Sequence, residues 1–200
     1  NLDPGTISVN VTQLAQKDVY QSNTISDITS TLDSGTISIT IGEETYDFST
    51  EGKTYETLVP EMGNYPDLNV SLEQVGDSSY RMIIKSSESG TANAITISQS
   101  GVDLGFEEEA NHVLTAQNMK ATVDGIDYDL SSNKLTMQSG LIIKMVDEGT
   151  SSITMERDDA SIIESITSIA DKYNDLVDLV NSYILGDEDN PAVISDSSTL

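Results

Sequence analysis

Most of the chain alternates between hydrophobic and polar residues, which is the pattern of strands that bury one face. The alternation is clear over Thr6–Thr12 and over Thr36–Ile41, and it recurs at residues 70–72 and 80–84. Turn residues follow the second and third of these runs, at 42–44 and at 76–78. The pattern therefore predicts two β-hairpins, 36–41 with Tyr46 and Phe48, and 70–72 with 80–84. A short strand is predicted at 95–97.

The pair Asp124-Gly125 separates two further alternating runs, 122–123 and 126–130. Asp-Gly between such runs is a strong hairpin signal, because a type I′ turn needs positive φ at both central residues. Beyond this hairpin the alternation predicts a continuing meander through Leu135, Met137, Leu141, Ile143, Met145, Ile153 and Met155.

Two segments depart from the strand pattern. Thr54–Met62 resembles one or two turns of capped helix, limited by Pro60 and Gly63. A longer helix is predicted over about 160–185, where Asp158 or Asp159 can cap the start, or Ser161 with Glu164 can form a capping box, and Gly186 can end it.

The long helix carries an apolar stripe with a regular 4-3 spacing. Seven residues make up this predicted helix-packing interface: Ile162, Ile166, Ile169, Tyr173, Leu176, Val180 and Tyr183. Ile163, Ala170, Val177 and Ile184 widen it. Such a stripe is usually the core side of an amphipathic helix, and this one is wider than a two-stranded coiled-coil seam. The chain predicts no second helix long enough to cover it, so we expect a partner.

Composition and charge exclude several classes of function. The chain has 200 residues, 34 acidic against nine basic, and a net charge of −25. Phosphate backbones and anionic membrane surfaces would be repelled, so we expect neither a nucleic-acid nor a membrane partner. No apolar run approaches a membrane span, and Asn1–Gly5 lacks the features of a signal peptide.

Catalytic and cofactor motifs are not found. Cysteine is absent and His112 is the one histidine. A Ser–His–acid triad would have to use it, yet no Gly-x-Ser-x-Gly elbow and no phosphate loop occurs. Its acidic neighbours 107–109 predict a solvated loop position. We therefore assign no catalytic and no cofactor-binding residue, and expect a protein that is not an enzyme.

Calcium binding is the more serious chemical alternative. Asp124, Asp127 and Asp129 crowd one hairpin, and a second acidic group lies at 187–189. Neither has the spacing of an EF-hand loop. Solvent-facing positions on one strand explain Asp127 and Asp129 without a metal, so we assign no metal ligand.

Four segments, in order, resemble the bacterial flagellar filament cap protein family, hook-associated protein 2. They are Val11–Gln16 (VTQLAQ), Tyr80–Gly90 (YRMIIKSSESG) with Asn93-Ala94-Ile95, Ala116–Ile126 (AQNMKATVDGI) and Ile169–Leu176 (IADKYNDL). The resemblance covers about 1–20 and 55–184. Lys172 departs from the family, which commonly has a small alanine there.

The resemblance implies an α+β, mainly β fold with two small antiparallel β-rich domains, one inserted in the other, followed by a long amphipathic helix. We expect a discontinuous inner domain at 1–32 and 105–157 and an inserted outer domain at 33–104. Residues 158–200 would be the helix and loop that enter a leg domain.

The resemblance also implies a function. The chain would be the head of an extracellular, homo-oligomeric cap at the filament tip, exported without a cleaved signal peptide, that promotes polymerisation of flagellin. Its partners would be flagellin and further copies of itself. The alternative is an adhesin-type module that binds host surface glycans or mucin.

Overall fold

The computed structural model describes residues 4–185. The chain divides into two compact units, Asn1–Thr154 and Met155–Leu200. The first unit holds nearly all of the strands and a short helix, and the second holds a long helix. The strands are β1 Gly5–Gln13, β2 Val19–Gln21, β3 Thr36–Ile41, β4 Glu44–Ser49, β5 Leu68–Gly76, β6 Ser79–Ser86, β7 Ile95–Ser100, β8 His112–Leu114, β9 Met119–Val123, β10 Ile126–Leu130, β11 Lys134–Thr136, β12 Ile142–Lys144 and β13 Gly149–Met155. The helices are α1 Tyr55–Met62 and α2 Asp159–Leu185. The predicted α+β, mainly β class is confirmed.

The inner sheet has the order β10-β9-β1-β13. Strands β9 and β10 form the predicted hairpin, and Asp124 and Gly125 at its turn have φ of 49° and 84°. Strand β1 is antiparallel to β9, with Val9 opposite Val123 and Val11 opposite Ala121. All four of these side chains are buried, which is the outcome expected from period-two alternation.

The predicted meander after β10 is only partly correct. Strands β11 and β12 pair with each other in a two-stranded ribbon, whereas β13 lies beside β1 in the inner sheet. The chain leaves the ribbon through Gly149, whose φ of 130° is a conformation that favours glycine. Strand β13 thereby pairs with the start of the chain and not with its sequence neighbour.

The outer part of the first unit contains two sheets, β5-β6-β2-β8 and β4-β3-β7. Both predicted hairpins are confirmed, as β3 with β4 and β5 with β6. The two sheets share one hydrophobic core, whose most completely buried side chains are Ile37, Ile39, Phe48, Leu58, Met62, Met82, Ile84 and Phe106.

Helix α1 contributes two residues to this core, Leu58 and Met62, which are fully buried. Thr54 caps it, and the Thr54 backbone N–H donates to Thr57 Oγ1 at 3.0 Å. The prediction of a short capped helix over Thr54–Met62 is confirmed, since α1 begins after its cap Thr54 and ends at Met62, before Gly63, with Pro60 in its last turn.

The strand pairing places residues on both sides of the expected inserted domain in the outer sheets. Strands β2 and β8 flank the expected inserted domain on both sides, yet they belong to the same sheet as β5 and β6. Leu32 and Phe106 also lie in the outer core. We propose that the inserted part begins and ends at the pair of backbone hydrogen bonds joining Gln16 to Gln117, outside the expected limits of 33 and 104.

Candidate functional site

The long helix α2 is the first candidate, because it carries the predicted packing interface. It spans 27 residues, Asp159–Leu185, in agreement with the prediction of about 160–185. Asp158 is the cap, since its carboxylate accepts hydrogen bonds from the Ser161 hydroxyl at 2.6 Å and the Ser161 backbone N–H at 3.1 Å. These bonds hold the pKa of Asp158 below its usual range. Gly186 and the acidic group at 187–189 lie outside the described residues.

The seven predicted interface residues of α2 are exposed. Their side chains are between 44% (Val180) and 69% (Ile169) accessible. Ile163 and Ile184, which widen the stripe, are 64% and 48% accessible. Leu179 is also exposed, at 53%. Large exposed apolar surfaces mark interaction sites, so the stripe remains a predicted interface.

The second candidate is His112, where the prediction of a solvated loop position is wrong. His112 begins β8, and its Nε2 lies 2.5 Å from Oδ1 of Asp18. Its ring stacks on that of Tyr20 with centroids 4.1 Å apart and planes within 5°. Asp18 is buried, and a buried carboxylate requires a hydrogen-bond partner. The imidazole of His112 is that partner, which is why it is partly buried.

Asp18 lies just before β2 and is bonded to β6, β7 and β8. Its second oxygen, Oδ2, accepts from the backbone N–H of Ile95 at 2.7 Å. Its backbone N–H donates to Ser86 Oγ at 3.0 Å, and its carbonyl accepts from the Ser86 N–H at 3.1 Å. Burial, together with the nearby Asp18 carboxylate, raises the pKa of the Tyr20 phenol. Asp18 therefore joins the strands of the outer sheets to the segment that enters them.

This geometry gives His112 a structural role, because its imidazole is the partner of the buried Asp18 carboxylate. Within residues 4–185, Asp18 is its one side-chain hydrogen-bond partner, so no serine or threonine hydroxyl is placed to receive its action as a base. The Asp18–His112 contact joins residues 94 positions apart. Sequence reasoning missed it because no local pattern links a lone aspartate to a distant histidine.

The acidic hairpin suggested by the sequence does not form a metal centre in the described structure. Each carboxylate faces a different protein donor: Asp124 accepts from the Ser8 N–H at 2.8 Å, Asp127 from the Thr122 hydroxyl at 2.7 Å and Asp129 from Asn118 Nδ2 at 2.6 Å. Across residues 4–185, no group of three His, Asp or Glu side chains is arranged to hold an ion.

A polar junction was also missed by the sequence analysis. Asn133 Nδ2 donates to the Ala15 carbonyl at 2.9 Å, and the Ala15 N–H donates to Asn133 Oδ1 at 2.6 Å. Asn118 Oδ1 accepts from the Thr91 N–H at 2.9 Å. These bonds join the turn after β10 to Ala15, just before the inserted part, and join Asn118, just after it, to Thr91 within it.

No described helix is both long enough and apolar enough to cross a membrane.

Comparison with known proteins gives a consistent result. No family model matches the sequence. A flagellar hook-associated protein 2 from Campylobacter jejuni is 25% identical over 228 aligned positions, which cover 88% of this chain and 35% of the relative. The chain thus spans about a third of the length of that curated relative.

Two solved structures show the same fold. The Pseudomonas aeruginosa FliD (HAP2) structure has a TM-score of 0.71 at 20% identity and covers 90% of this chain and 92% of the matched chain. The D2-D3 domains of the Escherichia coli flagellar cap protein FliD have a TM-score of 0.66 at 24% identity and cover 79% and 91%. The resemblance stated from the sequence is confirmed, and nothing in these comparisons supports the adhesin alternative.

Proposed function

We propose that this chain, a relative of flagellar hook-associated protein 2, is the head of a flagellar filament cap that promotes polymerisation of flagellin at the filament tip. One observation carries the proposal: the flagellar hook-associated protein 2 of Campylobacter jejuni aligns with 88% of this chain at 25% identity. The Pseudomonas aeruginosa FliD (HAP2) structure, with a TM-score of 0.71 over 90% of the chain, adds that the fold is the same.

The proposed partners are flagellin and further copies of this chain, and the proposed location is outside the cell at the filament tip, reached without a cleaved signal peptide. The role is one of assembly and not of catalysis. The Asp18–His112 pair supports this, because its groups are engaged in holding the outer sheets together.

The α2 stripe has a place in this proposal. Seven apolar side chains at 4-3 spacing, each at least 44% exposed, form a face that one partner helix does not fully cover. We propose that this face packs against helices of the leg, contributed by parts of the protein beyond this chain or by another copy.

The deciding experiment replaces the genomic segment that encodes residues 4–185 with a flexible linker in the bacterium that carries it. We expect flagellin to appear in the culture medium as unpolymerised subunits and filaments to shorten. Expression of the intact gene from a plasmid is the control and restores filaments. Filaments of normal length in the deletion strain would contradict the proposal.

A second measurement distinguishes the cap role from the adhesin alternative. A glycan-binding module would leave filament length unchanged on deletion and reduce attachment of the bacteria to mucin-coated surfaces. Attachment measured on strains with equal numbers of filaments therefore distinguishes an adhesin from a cap.

A further inference from the structure

The inserted part is joined to the rest of the first unit by two adjacent segments of the chain. At this connection the Gln16 N–H donates to the Gln117 carbonyl at 2.9 Å, and the Gln117 N–H donates to the Gln16 carbonyl at 3.2 Å. Two parts of a chain that share only a narrow connection are expected to move relative to each other. The orientation of the inserted part therefore depends on contacts beside the connection.

A second contact lies beside this connection. We define the lateral contact as Ser89, Gly90 and Thr91, which lie between β6 and β7 in the inserted part, together with Asn118 and Ser131 of the inner part. The Ser89 hydroxyl donates to the Ser131 carbonyl at 2.6 Å, and the Thr91 N–H donates to Asn118 Oδ1 at 2.9 Å. Asn118 precedes β9 and Ser131 follows β10. The loop 89–91 thus lies against the open end of the β9–β10 hairpin.

Gly90 is at the centre of the lateral contact. It is buried, its φ is 97°, and its N–H donates to the Gln16 carbonyl at 3.1 Å. A Cβ at this position would lie 2.5 Å from Ser131 Cβ and 2.6 Å from Ser131 Cα. Carbon atoms that are not bonded to each other pack at about 3.5–4.0 Å, so any other residue at position 90 would push the two parts apart. The close approach requires glycine.

Each side of the lateral contact is also held by its own part of the chain. Asn118 Nδ2 donates to Asp129 Oδ1 at 2.6 Å, which turns the amide oxygen of Asn118 towards Thr91. Asn93 Nδ2 donates to the Ser89 carbonyl at 2.8 Å and fixes the loop on the other side. Both surfaces are therefore preorganised, which lowers the entropy that must be lost when they meet.

We infer that the lateral contact locks the inserted part to the inner sheet, so that the two move as one body. The bonds between Gln16 and Gln117 fix where the inserted part is attached, and the lateral contact prevents rotation about that attachment. A displacement of the outer sheets is thereby transmitted to the inner sheet and is not absorbed at the connection. This inference is independent of the proposed function, because it follows from contacts within the first unit.

The test measures residual dipolar couplings of the backbone amides in a neutral alignment medium. Gly90→Ala is compared with the parent and with Gly140→Ala, a matched control at a glycine whose φ is 85° but whose Cβ would meet no atom within 4 Å. We expect one alignment tensor to fit the amides of both parts in the parent and in the control. In Gly90→Ala we expect two tensors of different magnitude, because the parts reorient independently once the lateral contact is broken.

A second variant guards against misfolding caused by strain at position 90. Ser89→Ala with Asn118→Ala removes the two side-chain groups that bond the parts together and introduces no steric conflict. We expect it also to require two tensors, with amide chemical shifts away from the lateral contact unchanged. If Gly90→Ala does not fold, this second variant decides alone.

Three results would overturn the inference: two different tensors in the parent, one shared tensor in the Ser89→Ala and Asn118→Ala variant, or equal loss of the shared tensor in Gly140→Ala. The filament assay described above is made in cells and on a different variant, so it can succeed or fail independently of this test.

Discussion

Asp18 shows how one buried charge fixes the arrangement of distant segments. Its carboxylate is 1% exposed and holds Ile95 with one oxygen and His112 with the other. Removing one partner of a buried charged pair is more destabilising than replacing both, because the remaining charge is left without compensation.

We therefore expect His112→Ala to lower the free energy of unfolding by about 1–3 kcal/mol, a range reduced because the imidazole is partly exposed. Combining it with Asp18→Asn should cost less than the sum of the two single changes. Urea unfolding of the four proteins in the double-mutant cycle measures this. Strictly additive costs would show that the two side chains are not coupled.

The same pair marks a limit of sequence reasoning at the residue scale. The Asp124-Gly125 turn was predictable because the requirement for positive φ acts between adjacent residues. The environment of His112 was not, because it depends on a carboxylate 94 positions away. The acidic residues next to His112 indicated solvent, whereas the fold supplied Asp18 and the Tyr20 ring.

Among the elements, α2 is capped at its N-terminus by a titratable group, the Asp158 carboxylate. Ser161 donates two hydrogen bonds to the Asp158 carboxylate, and these lower the pKa of Asp158 in the folded helix. A lowered folded-state pKa adds stability above the unfolded value, and that stability is lost as pH falls through the folded value.

We expect the helicity of the parent protein to fall more between about pH 5 and pH 2 than that of Asp158→Ser, whose hydroxyl caps without titrating. Far-ultraviolet circular dichroism over this range measures the difference. The comparison cancels the titration of the other acidic residues of α2. Identical pH profiles would exclude Asp158 as the titrating cap.

The apolar face of α2 gives a second prediction at this scale. Burying a large aliphatic side chain contributes roughly 1.5–3 kcal/mol, so a covered stripe is a substantial source of binding energy. We expect Ile169→Glu with Leu176→Glu to abolish association through α2 or to melt the helix, with the β-sheets still folded. Sedimentation and circular dichroism measure the two effects.

The matched control is Ser168→Glu with Ser182→Glu, which adds the same charge on the opposite side of α2. This control should associate as the parent does. If the stripe variant is as helical as the parent and associates equally, the stripe faces solvent and the predicted interface is wrong.

Elements built from neighbouring residues were predictable from the sequence, and pairings between distant strands were not. Both helices and three hairpins follow from periodicity and turn residues. The placement of β13 beside β1 does not, because alternation specifies which face of a strand is buried and says nothing of its neighbours. For the same reason the entry and exit strands β2 and β8 were not assigned to the outer sheet.

For the whole molecule, charge opposes association. With a net charge of −25, copies repel each other at low salt, and exposed charges are largely screened beyond about 8 Å at physiological ionic strength. We expect added salt to strengthen self-association of the parent chain, because it screens this repulsion. Sedimentation at several salt concentrations measures the effect, and tighter association at low salt would contradict the expectation.

The order of strands in the inner sheet has a consequence in time. Ser8 of β1 is bonded to Asp124, 116 positions later, whereas the strands of each outer hairpin are separated by short turns. Contacts between distant positions form more slowly than local ones, because a long loop must be closed first. During synthesis from the amino end, β1 cannot pair with β9 or β13 until the whole inserted part has been made. The outer sheets can therefore form first, and the inner sheet forms last.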